Sequence, residues 1–121
     1  MPLATDMMGG GTSAGQAKAI NGNRNLTLSA AGTTQATATA IKATNNVFTT
    51  VAASAGAVLP NANQADTVRI YNRGANALTI YPPVGSRIFP ASTNTGISLA
   101  TNTFIELYKW EDTIWYGNLS A

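Results

Sequence analysis

The chain has 121 residues, 45% of them hydrophobic and only 10% charged, with seven basic and five acidic side chains for a net charge of +2. That length predicts a single domain with one core, and so small an imbalance on so few charges excludes a basic field for nucleic acid. The absence of His and Cys excludes disulfides, thiolate nucleophiles, Ser-His-Asp triads and metal sites built on imidazole or thiolate.

Ala (21), Thr (17) and Asn (12) together fill 50 of the 121 positions. The surface is therefore dressed mainly in hydroxyls and amides, as suits a protein that works inside an assembly. Residues 1–25 hold Gly9-Gly10-Gly11, Gly15, Gly22 and several Asn, with apolar anchors only at Leu3, Met7, Met8, Ile20 and a few Ala. Such a segment cannot bury a core of its own and is expected to be an extended arm. Ser13-Ala14-Gly15-Gln16 has capping-box spacing, so one short helix is allowed there. The start, Met1-Pro2-Leu3-Ala4-Thr5-Asp6, has neither a basic nor an apolar signal-peptide region, and no apolar run approaches the ~18 residues of a membrane span. Synthesis in the cytoplasm, without membrane association, is the expectation.

From Leu26 onward the pattern is β, and residues 26–121 are expected to form one domain. Thr37 and Thr39 alternate with Ala36, Ala38 and Ala40, which predicts a strand with a methyl-lined face open to close approach by another sheet or subunit. Val47-Phe48-Thr49-Thr50-Val51 is β-branched and precedes a Ser54-Ala55-Gly56 turn. Val68 and Ile70 alternate with Thr67, Arg69 and Tyr71; Asn72-Arg73-Gly74-Ala75-Asn76 then turns the chain. Leu78 and Ile80 alternate with Thr79 and Tyr81 before Pro82-Pro83 ends that strand. Ile88-Phe89, Ile97-Ser98-Leu99, Phe104 to Trp110 and Ile114 to Tyr116 follow, with a tight turn at Glu111-Asp112 between the last two. Eight to ten short strands at this spacing predict an all-β fold, a small β-sandwich or jelly-roll-like domain. No fixed period marks a solenoid.

Little in the chain carries chemistry. Gly10-Gly11-Thr12-Ser13-Ala14-Gly15 has P-loop glycine spacing, but Gln16 and Ala17 stand where Lys and Ser/Thr are required. The only carboxylates are Asp6, Asp66, Glu106, Glu111 and Asp112, and Glu106 is placed to pair with a basic neighbour across strands. No catalytic residue, cofactor site or metal site is expected. Arg69, Arg73, Arg87 and Lys109 among Tyr71, Tyr81 and Trp110 could make an anion patch; solvated strand faces are the plainer account. Trp110, Trp115, Tyr108 and Tyr116 gather near the C terminus, where aromatics on antiparallel strands either form a sugar platform or close one end of a core.

Four stretches, LTLSAAGTTQATATAI (26–41), NVFTTVAASAGAVLP (46–60), VRIYNRGANALTIYPPVG (68–85) and ISLATNTFIELYKW (97–110), resemble the head decoration (cement) and head-fibre proteins of tailed bacteriophages. The most specific piece is the Asn72–Asn76 turn leading into Leu78, Ile80, Tyr81, Pro82 and Pro83. The resemblance implies a structural virion protein on the outer capsid surface, a homotrimer that binds the major capsid protein and clamps adjacent capsomers, with no nucleic-acid, membrane or cofactor partner. Leu3, Met7, Met8 and Ile20 of the arm become the candidate capsid contacts, Met being adaptable to an irregular surface. The alternative is a tail-fibre or baseplate module that binds host glycans.

Overall fold

A computed structural model describes residues 24–119. The proposed arm up to Asn23, with Leu3, Met7, Met8, Ile20, the glycine-rich Gly10–Gly15 stretch and the short helix allowed near Ser13, lies outside the described residues. The described chain is all-β, with ten strands and no helix.

Six strands form a large sheet: β1 (Arg24–Ala30), β3 (Asn45–Val51), β5 (Thr67–Asn72), β9 (Thr103–Glu111), β10 (Ile114–Leu119) and β7 (Arg87–Ile88), in that spatial order. Four shorter strands form a small sheet, β2 (Thr39–Ala40), β4 (Gly56–Val58), β6 (Leu78–Tyr81) and β8 (Ile97–Leu99). From β1 to β9 the chain alternates between the two sheets. β1, β3 and β5 pair in parallel, and so do β2, β4 and β6. β8 and β9 then run antiparallel to β6 and β5, and β10 folds back on β9 as a hairpin.

This connectivity is a solenoid-like winding rather than clearly a sandwich or a jelly roll, and it corrects the expectation that no solenoid is present. No period is visible in the sequence because successive windings differ in length. In the large sheet Arg24 pairs with Asn45, and Asn45 in turn with Arg69, across a longer stretch of chain. The inequality is greater in the small sheet, where Thr39 pairs with Ala57 and Ala57 with Ile80. Pairing is preserved while the loops absorb the difference.

Both sheets contribute to one core. Phe48, Val51, Val68, Ile70, Ile105, Leu107, Ile88 and Trp115 come from the large sheet, and Ala57, Leu78, Ile80 and Leu99 from the small one. Period-2 alternation places them: Val68 and Ile70 point inward while Arg69 and Tyr71 do not. Where the chain leaves β5 for the small sheet, the buried Asn72 amide donates to the carbonyls of Asn76 (2.9 Å) and Leu99 (3.0 Å) and accepts from the Gly74 N–H (2.9 Å). Asn76 Nδ2 donates to the Val51 carbonyl at 2.8 Å. The Asn72–Asn76 turn thus joins the ends of β3, β5 and β8.

The predicted alanine-faced strand is not formed. Residues 35–37 are a turn, and only Thr39–Ala40 is strand. The Thr34 carbonyl accepts from the N–H groups of both Thr37 and Ala38, closing a loop that residues with such small side chains do not resist by packing. Gly32, at φ +78°, meets this loop so closely that a Cβ there would run into the Thr37 carbonyl.

Candidate functional site: the outer face of the large sheet

The side of the large sheet turned away from the core carries its own pattern, set by the register. β9 puts Ile105 and Leu107 inward, so Phe104, Glu106 and Tyr108 fall on the outer face. Antiparallel pairing sets Tyr71 opposite Phe104, Arg69 opposite Glu106 and Thr67 opposite Tyr108 on β5; Tyr116 faces Tyr108 on β10. Tyr71 and Phe104 stack, with ring centroids 6.3 Å apart and planes 13° from parallel. On the other side of the hairpin Tyr116 packs on Phe89 at 5.4 Å, and the Arg87 guanidinium lies over the Phe89 ring, also at 5.4 Å. Aromatic side chains therefore cross the face from β5 to Phe89, the residue that follows β7.

Between the two ring pairs lies the one ion pair among the described residues. Arg69 Nε donates to Glu106 Oε2 at 2.6 Å and Arg69 Nη1 to Asn45 Oδ1 at 3.2 Å. The Tyr108 hydroxyl donates to the other Glu106 oxygen. The Tyr108 hydrogen bond, then that of Arg69, holds the Glu106 carboxyl below its ordinary value, with partial burial opposing them. The same contact pushes the Tyr108 phenol up. Glu106 is thereby held ionised and Tyr108 protonated at neutral pH, and the hydrogen bond between them helps to order the sheet surface. Among the described residues no group of three or more carboxylates gathers that could hold a metal ion.

The hairpin ends irregularly. Ile114 pairs with Glu111 but the next residue, Trp115, pairs with Lys109, leaving Trp110 as the extra residue of a β-bulge. Bulges bend a strand and re-aim a side chain, and here Trp110 is 64% exposed while Trp115 is fully buried. Trp110, Glu111 and Tyr116 line an open groove on this face.

The structure separates the residues that the sequence grouped. Of the four aromatics near the C terminus, Trp115 belongs to the core, Tyr108 and Tyr116 pair on the outer face, and Trp110 stands out from it. The basic residues do not form a patch: Arg69 is held by Glu106, Lys109 Nζ donates to the Ala62 carbonyl, Arg73 follows β5 into its turn, and Arg87 sits on the edge strand. Phe89 was missed as a member of the face, and Arg87, grouped in sequence with the other basic residues, instead lies over Phe89. Their neighbour is Tyr116, reached through parallel pairing of β7 with β10, which no local pattern encodes. The Tyr71–Phe104 stack had a legible signal, since both residues alternate with core positions. No family model, curated protein or solved structure matches this chain.

Proposed function

We propose that this protein is a structural virion component, a capsid decoration (cement) protein that binds the outer surface of a phage head as a homotrimer and stabilises adjacent capsomers. The observation that carries this reading is the outer face of the large sheet. It exposes Tyr71, Phe104, Phe89 and Trp110 around a single charge-neutral ion pair, a surface suited to being covered by another protein. The methyl-faced strand no longer supports trimerisation, so that role passes to this face. In this reading the two sheets act as a small sandwich-like unit, the residues before β1 as its arm (Arg24 and Asn25, expected in the arm, are paired into the sheet), and Leu3, Met7, Met8 and Ile20 as contacts to the major capsid protein. The particle surface is then its location, after synthesis in the host cytoplasm.

A ligand that binds only the assembled shell stabilises that shell, and many copies multiply the effect. Mass spectrometry of purified particles should find hundreds of copies, and particles stripped of the protein should release genome at lower temperature than intact ones. A handful of copies, with equal robustness of stripped particles, would transfer the role to the tail. The second reading, a tail-fibre or baseplate module that binds host glycans, is favoured by one observation: the bulge that presents Trp110 beside a groove.

A further inference from the structure

We infer that the groove beside Trp110 binds an oligosaccharide carrying a carboxylate, with the sugar ring on Trp110 and the acid group on Arg87. This rests on the second of the two readings above and deepens it by naming the ligand's chemistry. Three features of the face converge on it.

The first is the indole. A tryptophan held 64% exposed by a bulge offers a flat, rigid surface that loses little entropy when covered, and the C–H-rich face of a pyranose is its natural complement. The second is the neighbouring polar group. Glu111, beside Trp110 in the groove, is an acceptor for sugar hydroxyls, and Tyr116, which also lines the groove, extends the aromatic floor toward Phe89.

The third is Arg87. It has no carboxylate partner among the described residues, and its Nε is buried without a hydrogen bond. With the guanidinium lying over Phe89, its two terminal nitrogens form a fork suited to a planar acid. Arg87 pairs with Ile114 on β10, and Ile114 with Glu111 on β9. The guanidinium strand and the Trp110 strand are thus two strand spacings apart, about 10 Å, the reach of a disaccharide. Glu111 marks the opposite end, so the site has a direction: hydroxyls toward Glu111, carboxylate toward Arg87. A free acid would feel both charges, whereas an acid one ring away from the stacked sugar meets only the arginine.

The test titrates the full chain with 3′-sialyllactose and tri-galacturonate, and with uncharged lactose and maltotriose, by calorimetry and tryptophan fluorescence. Acidic sugars should bind about tenfold tighter than neutral ones, the scale of one charge-assisted hydrogen-bonded contact, and added salt should narrow that gap. Trp110→Ala should weaken every sugar by about tenfold or more, leaving the Trp115 signal of the folded core. Arg87→Gln should bring acidic sugars down to the neutral level without changing the latter. Arg87→Lys, which keeps the charge and loses the fork, should retain part of the preference and serves where Arg87→Gln does not fold. Equal binding of acidic and neutral sugars, unchanged by Arg87→Gln, would overturn the acid site and leave the glycan reading standing. No binding of any of the four sugars would overturn both.

Discussion

Residues 24–81 and residues 103–119 build the same large sheet by opposite means. The first stretch returns to it once per winding, each time beside a parallel neighbour and each time through a strand of the small sheet. The second turns at Asp112-Thr113 and pairs with itself. In the winding stretch nothing local fixes register, so it is held at the corners by buried amides and a tightly packed glycine. In the hairpin the turn fixes register, and its strands are long enough to give each face its own composition. The winding supplies the platform, and most of the exposed aromatic surface hangs on the hairpin and what pairs with it.

The two tryptophans of the hairpin give the sharpest way to break this comparison. Trp115 is fully buried in the shared core, whereas Trp110 is the bulged residue. Trp115→Ala should cost about 3–5 kcal/mol through lost burial and the cavity left behind. That is a large share of the roughly 5–15 kcal/mol that holds a domain together. Trp110→Ala should stay within about 0.5 kcal/mol. Urea denaturation of the two variants reads both numbers. Similar losses would mean that Trp110 is a packing residue and the outer face has no free indole to offer.

The corners of the winding come next. Asn72→Ala removes the donor to the Leu99 and Asn76 carbonyls and the acceptor of the Gly74 amide, and should cost about 1–3 kcal/mol. Gly74→Ala tests packing rather than hydrogen bonding, because its φ lies outside the left-handed region and the new methyl carbon would meet Val51 Cγ2 at 2.6 Å and Val51 N at 2.8 Å. Overpacking of that kind costs about 1–3 kcal/mol. Val51→Ala in the same background should recover only part, since the backbone nitrogen remains. Full recovery would show that the corner yields and does not set the register of β3 and β5.

These corners also show where sequence reading succeeds and where it stops. The Asn72–Asn76 turn, the alternation in β5, β6 and β9 and the β9–β10 hairpin were all legible, because each is decided by residues within a few positions of one another. Only the hairpin's turn differs, falling at Asp112-Thr113 rather than Glu111-Asp112, because Glu111 still pairs with Ile114. The short strand β4 was not, having too few residues to alternate. Nor was the parallel order, since pairing Asn45 with Arg24 and Arg69 depends on loops of unequal length whose ends carry no matching motif. Alternating Thr and Ala at 36–40 misled because period alone, without large side chains to bury, leaves a turn as acceptable as a strand. The outer face was half legible. Tyr71 and Phe104 follow from alternation, Arg69–Glu106 from charge, but Phe89 and Arg87 join the face only through β7.

A smaller effect probes whether that face is one surface or a set of separate contacts. A double-mutant cycle on Tyr71→Ala and Phe104→Ala isolates the stacked pair. Aromatic pairs couple by about 0.5–1.5 kcal/mol beyond their buried area, and this exposed one should fall near the lower end. Thermal unfolding of the two single variants and the double variant measures it. A coupling indistinguishable from zero would mean that the rings are held by the strands alone.

The smallest effect is electrostatic and belongs to Glu106, which sits between that stack and the hairpin's tyrosines. Its carboxyl is held below its ordinary value of 4.5, first by the Tyr108 hydroxyl and then by Arg69. A carboxyl whose folded value is lowered stabilises the fold above the unfolded value; that contribution is lost as pH falls from there through the folded value. Wild type should therefore exceed Glu106→Gln in stability by no more than about 1 kcal/mol at pH 7, because the pair is partly solvated. The gap should hold down to about pH 5 and close at lower pH. Tyr108 acts in the opposite sense. Its raised phenol value makes the same contact stabilising below the unfolded tyrosine range, with loss as pH rises through the folded value. NMR titration of the Glu106 side chain then ranks the two causes. Tyr108→Phe should return the carboxyl further toward its ordinary value than Arg69→Met does. The reverse order would make the β5–β9 ion pair, rather than the tyrosine within β9, the principal hold on this carboxylate.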